Sequence, residues 1–107
     1  MVEQILIAFC TFPDLNTARK VANEIIDLRL AACGNILSPI HSIYRWKGKL
    51  ESSEETLVMF KLEAKRYADF EAKLRSLHPY EVPEIISIKV ESGLPDYLQW
   101  VAESCAT

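Results

Sequence analysis

The stretch from Ile36 to Leu62 limits the possible folds more than any other part of the chain. Apolar and polar residues alternate there on both sides of Lys47-Gly48-Lys49, the pattern of two strands joined by a tight turn. Before the turn, Ile36, Ile40, Tyr44 and Trp46 fall on one face and Leu37, His41, Ile43 and Arg45 on the other. After the turn and a polar run from Glu51 to Glu55, Thr56, Val58, Phe60 and Leu62 alternate with Leu57, Met59 and Lys61. A central hairpin of this kind needs strands and helices on both sides to cover it.

The flanks supply them. Val2 to Phe12 is nearly all apolar and reads as a central strand buried on both faces. Pro13-Asp14 ends it, and Asp14 or Asn16 can cap a helix whose Ala18, Val21, Ala22, Ile25, Leu28 and Ala32 recur at helical spacing up to Gly34. Beyond the hairpin, Tyr67, Phe70, Leu74 and Leu77 are spaced as a helix that stops before His78-Pro79. Glu84 to Glu91 reads as a fourth strand, and Gly93-Leu94-Pro95 opens a short terminal helix with Tyr97, Leu98, Trp100 and Val101. The order β-α-β-β-α-β-α predicts an α+β, ferredoxin-like (split βαβ) fold. Its antiparallel sheet carries two helices on one face, a long hairpin of the second and third strands, and a short C-terminal helix.

With 107 residues the chain has room for one such domain, spanning 1–107. Half of its residues are hydrophobic and it holds only 3 Gly and 5 Pro, so a disordered chain is excluded. That apolar fraction exceeds what one small core requires, and a subunit contact is the simplest place for the remainder. The lengths point to where. A helix from Leu15 to Ala31 spans about 25 Å, whereas a strand from Ile36 to Lys47 reaches about 40 Å. The uncovered end carries Tyr44 and Trp46, which predicts an oligomer built through the hairpin; the alternative is that the terminal helix folds back over Trp46.

Twelve Lys and Arg against 15 Asp and Glu give a net charge of -3, which disfavours nucleic acid and anionic membranes as partners. The opening residues Met1-Val2-Glu3-Gln4 lack a basic region and the following apolar run is short, so the expectation is a cytoplasmic protein. The three cysteines, Cys10, Cys33 and Cys105, are odd in number and widely spaced, as suits reduced thiols.

None of the standard local catalytic motifs occurs, so any site must be assembled from distant residues. His78-Pro79-Tyr80-Glu81-Val82-Pro83-Glu84 is the most informative segment, because two prolines stiffen a loop that presents an imidazole, a hydroxyl and a carboxylate. His78 suits a metal ligand or an acid-base group, or it serves only the negative end of a helix dipole. Cys10, at the end of the first strand, is either a soft metal ligand facing a crevice or a small buried hydrophobe. Cys33 reads as packing and Cys105 as incidental. Lys61 interrupts an apolar strand and either snorkels, pairs with an acid or binds an anion. Arg45, Lys47 and Lys49 form a small basic cluster at the hairpin tip, most simply solvated.

Four blocks in order carry a resemblance: Leu30-Ala31-Ala32-Cys33-Gly34-Asn35-Ile36, Tyr44-Arg45-Trp46-Lys47-Gly48-Lys49-Leu50-Glu51, His78-Pro79-Tyr80-Glu81-Val82-Pro83-Glu84-Ile85 and Tyr97-Leu98-Gln99-Trp100. Together they resemble the CutA divalent-cation tolerance proteins over nearly the whole chain. The resemblance implies a cytoplasmic homotrimer of ferredoxin-like subunits, similar in architecture to the PII signalling proteins, that binds copper or another divalent ion without being an enzyme. In some bacterial members of that family copper is held by a cysteine at the end of the first strand and two adjacent histidines before Pro-Tyr. Cys10 and His78 match those positions, whereas Leu77 stands in place of one histidine, so weak copper binding is expected. The other expectation is a PII-like module that binds a small anion in intersubunit clefts through Lys61, Tyr80 and Glu81.

Overall fold

A computed structural model describes residues 3–107, so the expected strand start at Val2 lies outside the described residues. The elements run β1 (Ile5–Phe12), α1 (Leu15–Asp27), β2 (Cys33–Trp46), β3 (Lys49–Glu63), a 3-10 turn (Ala64–Arg66), α2 (Tyr67–Leu77), β4 (Ile85–Lys89) and α3 (Pro95–Ser104). All strand pairs are antiparallel, and the sheet order is β2-β3-β1-β4. This is the ferredoxin-like α+β arrangement expected from the pattern, with β1 central.

Each boundary has a local cause. Asp14, extended at φ -158°, accepts the Thr17 N–H at 2.7 Å and caps α1, which also holds its carboxyl below the usual range. Asp14→Ala is expected to lower stability through loss of this cap, measured by denaturant unfolding at fixed protein concentration. The helix then stops at Asp27, earlier than the apolar spacing to Ala32 suggested. Arg29 takes φ +59°, the Leu28 N–H bonds the Glu24 carbonyl, and Ala31 and Ala32 are buried in the irregular bend that leads into β2. Small apolar residues fill a core from either conformation, so spacing alone did not reveal the stop.

The hairpin turn is the two residues Lys47 and Gly48, at φ +50° and +80°, the type I′ geometry that matches strand twist. β3 runs without interruption through Glu51 to Glu55, so that polar run is strand, not loop. β2 carries a bulge: Leu37 faces Leu57 and Ile40 faces Glu55, leaving Ser38 and Pro39 opposite Thr56. Proline has no N–H for the ladder, and the extra residue there shifts the alternation by one. Ile36 therefore lies on the opposite face from Ile40, Tyr44 and Trp46, a correction to the single face expected for all four.

The helices cover one face only. Leu6, Ala8, Cys10 and Phe12 of β1 and Thr56, Val58, Phe60 and Leu62 of β3 point into the core with Ala18, Val21, Ala22 and Ile25 of α1 and Phe70 and Leu74 of α2. Phe60 and Phe70 meet edge to face at 5.1 Å between ring centroids. Val101 and Cys105, one helical turn apart on α3, are buried in the same core, so Cys105 is packing and not incidental. The other face is open. Ile7, Phe9, Leu57 and Met59 are half-buried there, and Leu37, Ile86 and Ile88 are exposed. β1 is thus buried on one face in the single chain, not on both.

Of β3, only Thr56 to Glu63 pair with β1, so Lys49 to Glu55 and the β2 residues opposite project about 24 Å beyond it. α3 does not fold back over them. Its Tyr97 hydroxyl lies 3.7 Å from the Cys33 sulfur, at the end of β2 far from Trp46, and Trp46 stays exposed.

Candidate functional site

The end of β1, the start of the projecting hairpin and the loop after α2 converge on a cleft of about 960 Å³. Thr11 and Pro13 form its floor; Ser42, Tyr44, Trp46, Glu51, Ser53, Glu54 and Glu55 come from the hairpin, and Pro79 to Val82 with Glu84 from the loop. Five carboxylates line it and no Lys or Arg does. Its field therefore favours cations.

His78 fastens the loop. It caps the C-terminus of α2 with extended backbone, as expected ahead of Pro79, and its ring stacks on Phe12 at 4.6 Å. Nδ1 accepts the Tyr80 backbone N–H at 3.1 Å, which places the proton on Nε2, and Nε2–H donates to the Thr11 carbonyl at 2.7 Å. The Tyr80 hydroxyl donates to Glu55 Oε2 at 2.6 Å and ties the loop to β3. Burial and the Glu55 carboxylate hold that phenol above its usual range.

Burial pulls the His78 imidazole below its ordinary value, outweighing the Thr11 carbonyl and Glu55, which act the other way. The native state therefore binds this proton less readily than the unfolded chain. The stability from neutral His78 is complete above the unfolded value near 6.5, and it is lost as pH falls through the depressed native value. Between pH 7.5 and 5, the parent is expected to lose more stability than His78→Gln, read as denaturant midpoints at each pH.

Cys10 sits on the helix-covered face of β1, fully buried, instead of facing the crevice. Burial pushes its thiol up to about 12, with Glu84 and Glu55 adding to the rise, so it stays protonated at neutral pH. With both His78 nitrogens engaged and Cys10 protonated, the pair as folded does not fit a metal centre. Among the described residues no group of three or more His, Cys, Asp or Glu side chains is arranged to hold a metal ion.

Tyr80 and Glu81 line the cleft, but Lys61 does not. Lys61 pairs with Ile7 and Cys33 farther along the sheet and hydrogen-bonds the Asn35 side chain. Alternation alone could not show that Lys61 and the loop lie at different ends of β3. Glu51, Glu54, Glu55 and Glu84 were not singled out from sequence; the available signal was three carboxylates within five strand residues, which read only as polarity.

An antiparallel four-stranded sheet with helices on one face, a long projecting hairpin and an acidic cleft at its base defines a ferredoxin-like α+β class of protein. The family model described as CutA1 divalent ion tolerance protein matches residues 6–104, and the chain belongs to that family. Protein CutA of Mus musculus is 45% identical over 88% of this chain, which spans about half (53%) of that relative. The divalent-cation tolerance protein CutA of Thermus thermophilus is 36% identical over 97% of this chain and 98% of its own length. The structure of the periplasmic divalent cation tolerance protein CutA from Archaeoglobus fulgidus superposes with a TM-score of 0.92 at 31% identity, covering 95% of this chain and 99% of that one. The family description concerns tolerance of divalent ions and names no reaction.

Proposed function

We propose that the protein is a cytoplasmic homotrimer that takes part in the response to divalent metal ions by binding them weakly, without catalytic turnover. The observation that carries this reading is the cleft with five carboxylates and no basic side chain, a site that draws cations and repels anions. The PII-like alternative, a small anion bound through Lys61, Tyr80 and Glu81, loses its only cation, because Lys61 is remote from the other two. Copper at His78 must displace one of that ring's two hydrogen bonds, and Cys10 is buried and protonated, so binding there is weak. The trimer is supported by the open apolar face and the uncovered hairpin with Tyr44 and Trp46. Three free cysteines accord with a reducing compartment.

A thermal-shift screen tests the ligand class. A ligand at one hundred times its dissociation constant adds about 2.7 kcal/mol of apparent stability. Copper and other divalent ions are expected to raise the unfolding temperature, while nucleotides and organic anions leave it unchanged. The reverse pattern favours the PII-like module. Calorimetry giving the same copper isotherm for His78→Ala as for the parent removes His78 from the site. Light scattering tests the assembly, which a monodisperse monomer at micromolar concentration would rule out.

A further inference from the structure

We propose that Cys33 and Cys105 together hold a soft monovalent metal ion, copper(I), as a dithiolate at the corner where the end of α3 meets the end of the β2–β3 ladder. The site is separate from the acidic cleft and does not depend on it.

The ladder and α3 bring the two thiols to one corner. Cys33, half-buried at the first position of β2, faces Lys61 across the ladder, so both side chains stand on the open face. The Tyr97 hydroxyl of α3 lies 3.7 Å from the Cys33 sulfur. β3 ends two residues beyond Lys61, at Glu63. There Cys105, the C-cap of α3, lines a cavity of about 340 Å³ with Lys65 and Arg66, which follow that strand end. Two residues of strand measure about 7 Å, which sets the scale of the gap between the thiols. A metal–thiolate bond is about 2.3 Å long, so two in line bridge about 4.6 Å. A turn of the Cys33 side chain and a small shift of the last turn of α3, where helices fray, close the difference.

Burial pushes the Cys105 thiol up, and the Glu63 backbone N–H and the Arg66 guanidinium oppose that rise. The Glu63 carboxylate and the Cys33 sulfur add to it, so the two thiols lie within electrostatic reach of each other.

The charge around the corner selects the ion. As copper(I) bonds to the two sulfurs each thiol gives its proton to solvent, and the complex keeps one negative charge. Lys61 stands across from one sulfur, bonded to the Asn35 side chain and with no carboxylate partner among the described residues. Arg66 lies beside the other, held by its Nε–H on the Arg29 carbonyl at 3.3 Å. These cations stabilise an anionic complex and repel a bare divalent ion, which also calls for about four ligands. Thiolates prefer soft ions, and copper(I) is satisfied by two of them. Cys10 has the opposite surroundings: burial raises its thiol, and the Glu84 and Glu55 carboxylates raise it further.

Anaerobic titration of the reduced protein with copper(I) against bicinchoninate, a chromophoric copper(I) chelator, tests the site. The parent is expected to take one copper(I) per chain from the chelator. Cys33→Ala and Cys105→Ala are each expected to weaken binding about a hundredfold or more, because even a group that only orients a metal ligand is worth about ten- to a hundredfold. X-ray absorption at the copper edge should find two sulfurs on the metal in the parent and fewer in Cys33→Ala, which decides the case if Cys105→Ala fails to fold. Excess manganese(II), a hard ion suited to carboxylates, should leave copper(I) binding unchanged. A parent that leaves copper(I) with the chelator, a folded variant of either cysteine that binds as the parent does, or displacement of copper(I) by manganese(II) overturns the proposal.

Discussion

Phe60→Ala is expected to cost about 3–5 kcal/mol of stability, the upper range for a truncation in a core. Phe60 lies fully buried on β3, where it pairs with Ala8 of β1 and Gly34 of β2. Its ring packs against the edge of Phe70 from α2, and a Cβ added at Gly34 would lie 3.3 Å from it. That site joins two strands, a helix and a glycine backbone, none of which can move inward without disturbing a ladder or a helix. A cavity remains, so the cost includes lost contacts as well as lost burial. Denaturant unfolding at matched protein concentration measures it, because stability of an assembling protein depends on concentration. A loss under 1 kcal/mol would mean that the core closes over the gap.

Phe9→Asp is expected to yield a folded monomer in place of the proposed trimer. Phe9 occupies the middle of β1 on the open face, between Met59 and Ile86, with Ile7, Leu57 and Ile88 around it. In a single chain this face meets water, and a carboxylate there leaves the helix-covered core untouched. Inside a subunit contact the same carboxylate would be stripped of water with no cation among those apolar neighbours, at a cost of several kcal/mol per subunit. The measurement is the molar mass by light scattering together with circular dichroism. Retention of the parent mass would show that the assembly does not bury this face.

Much of the fold was legible because it rests on local periodicity. The helix of Tyr67 to Leu77 and its stop before His78-Pro79 were readable from three-and-four spacing and one proline rule. The hairpin was readable from alternation about Lys47-Gly48. The end of α1 was not, because Ala31 and Ala32 fit a core from helix or irregular chain alike. The bulge at Ser38 and Pro39 was also hidden: Pro39 announces a break in pairing, but only the register with β3 tells which face each later residue takes. At the site, Tyr80, Glu81 and His78 were readable as one stiff loop. Glu55, which anchors Tyr80, lies 25 residues away in sequence and signals nothing locally.

The sequence by itself determined the element order, the ferredoxin-like class, the family and the anionic balance, since these depend on residue type and spacing along the chain. Tertiary structure alone decided that Cys10 points into the core, that both nitrogens of His78 are engaged, that Lys61 stands apart from the loop and that five carboxylates share one cleft. The physical reason is common to all four. Burial, hydrogen-bond partners and local field are set by which strands lie side by side, and that pairing joins residues whose separation in sequence carries no periodic signal.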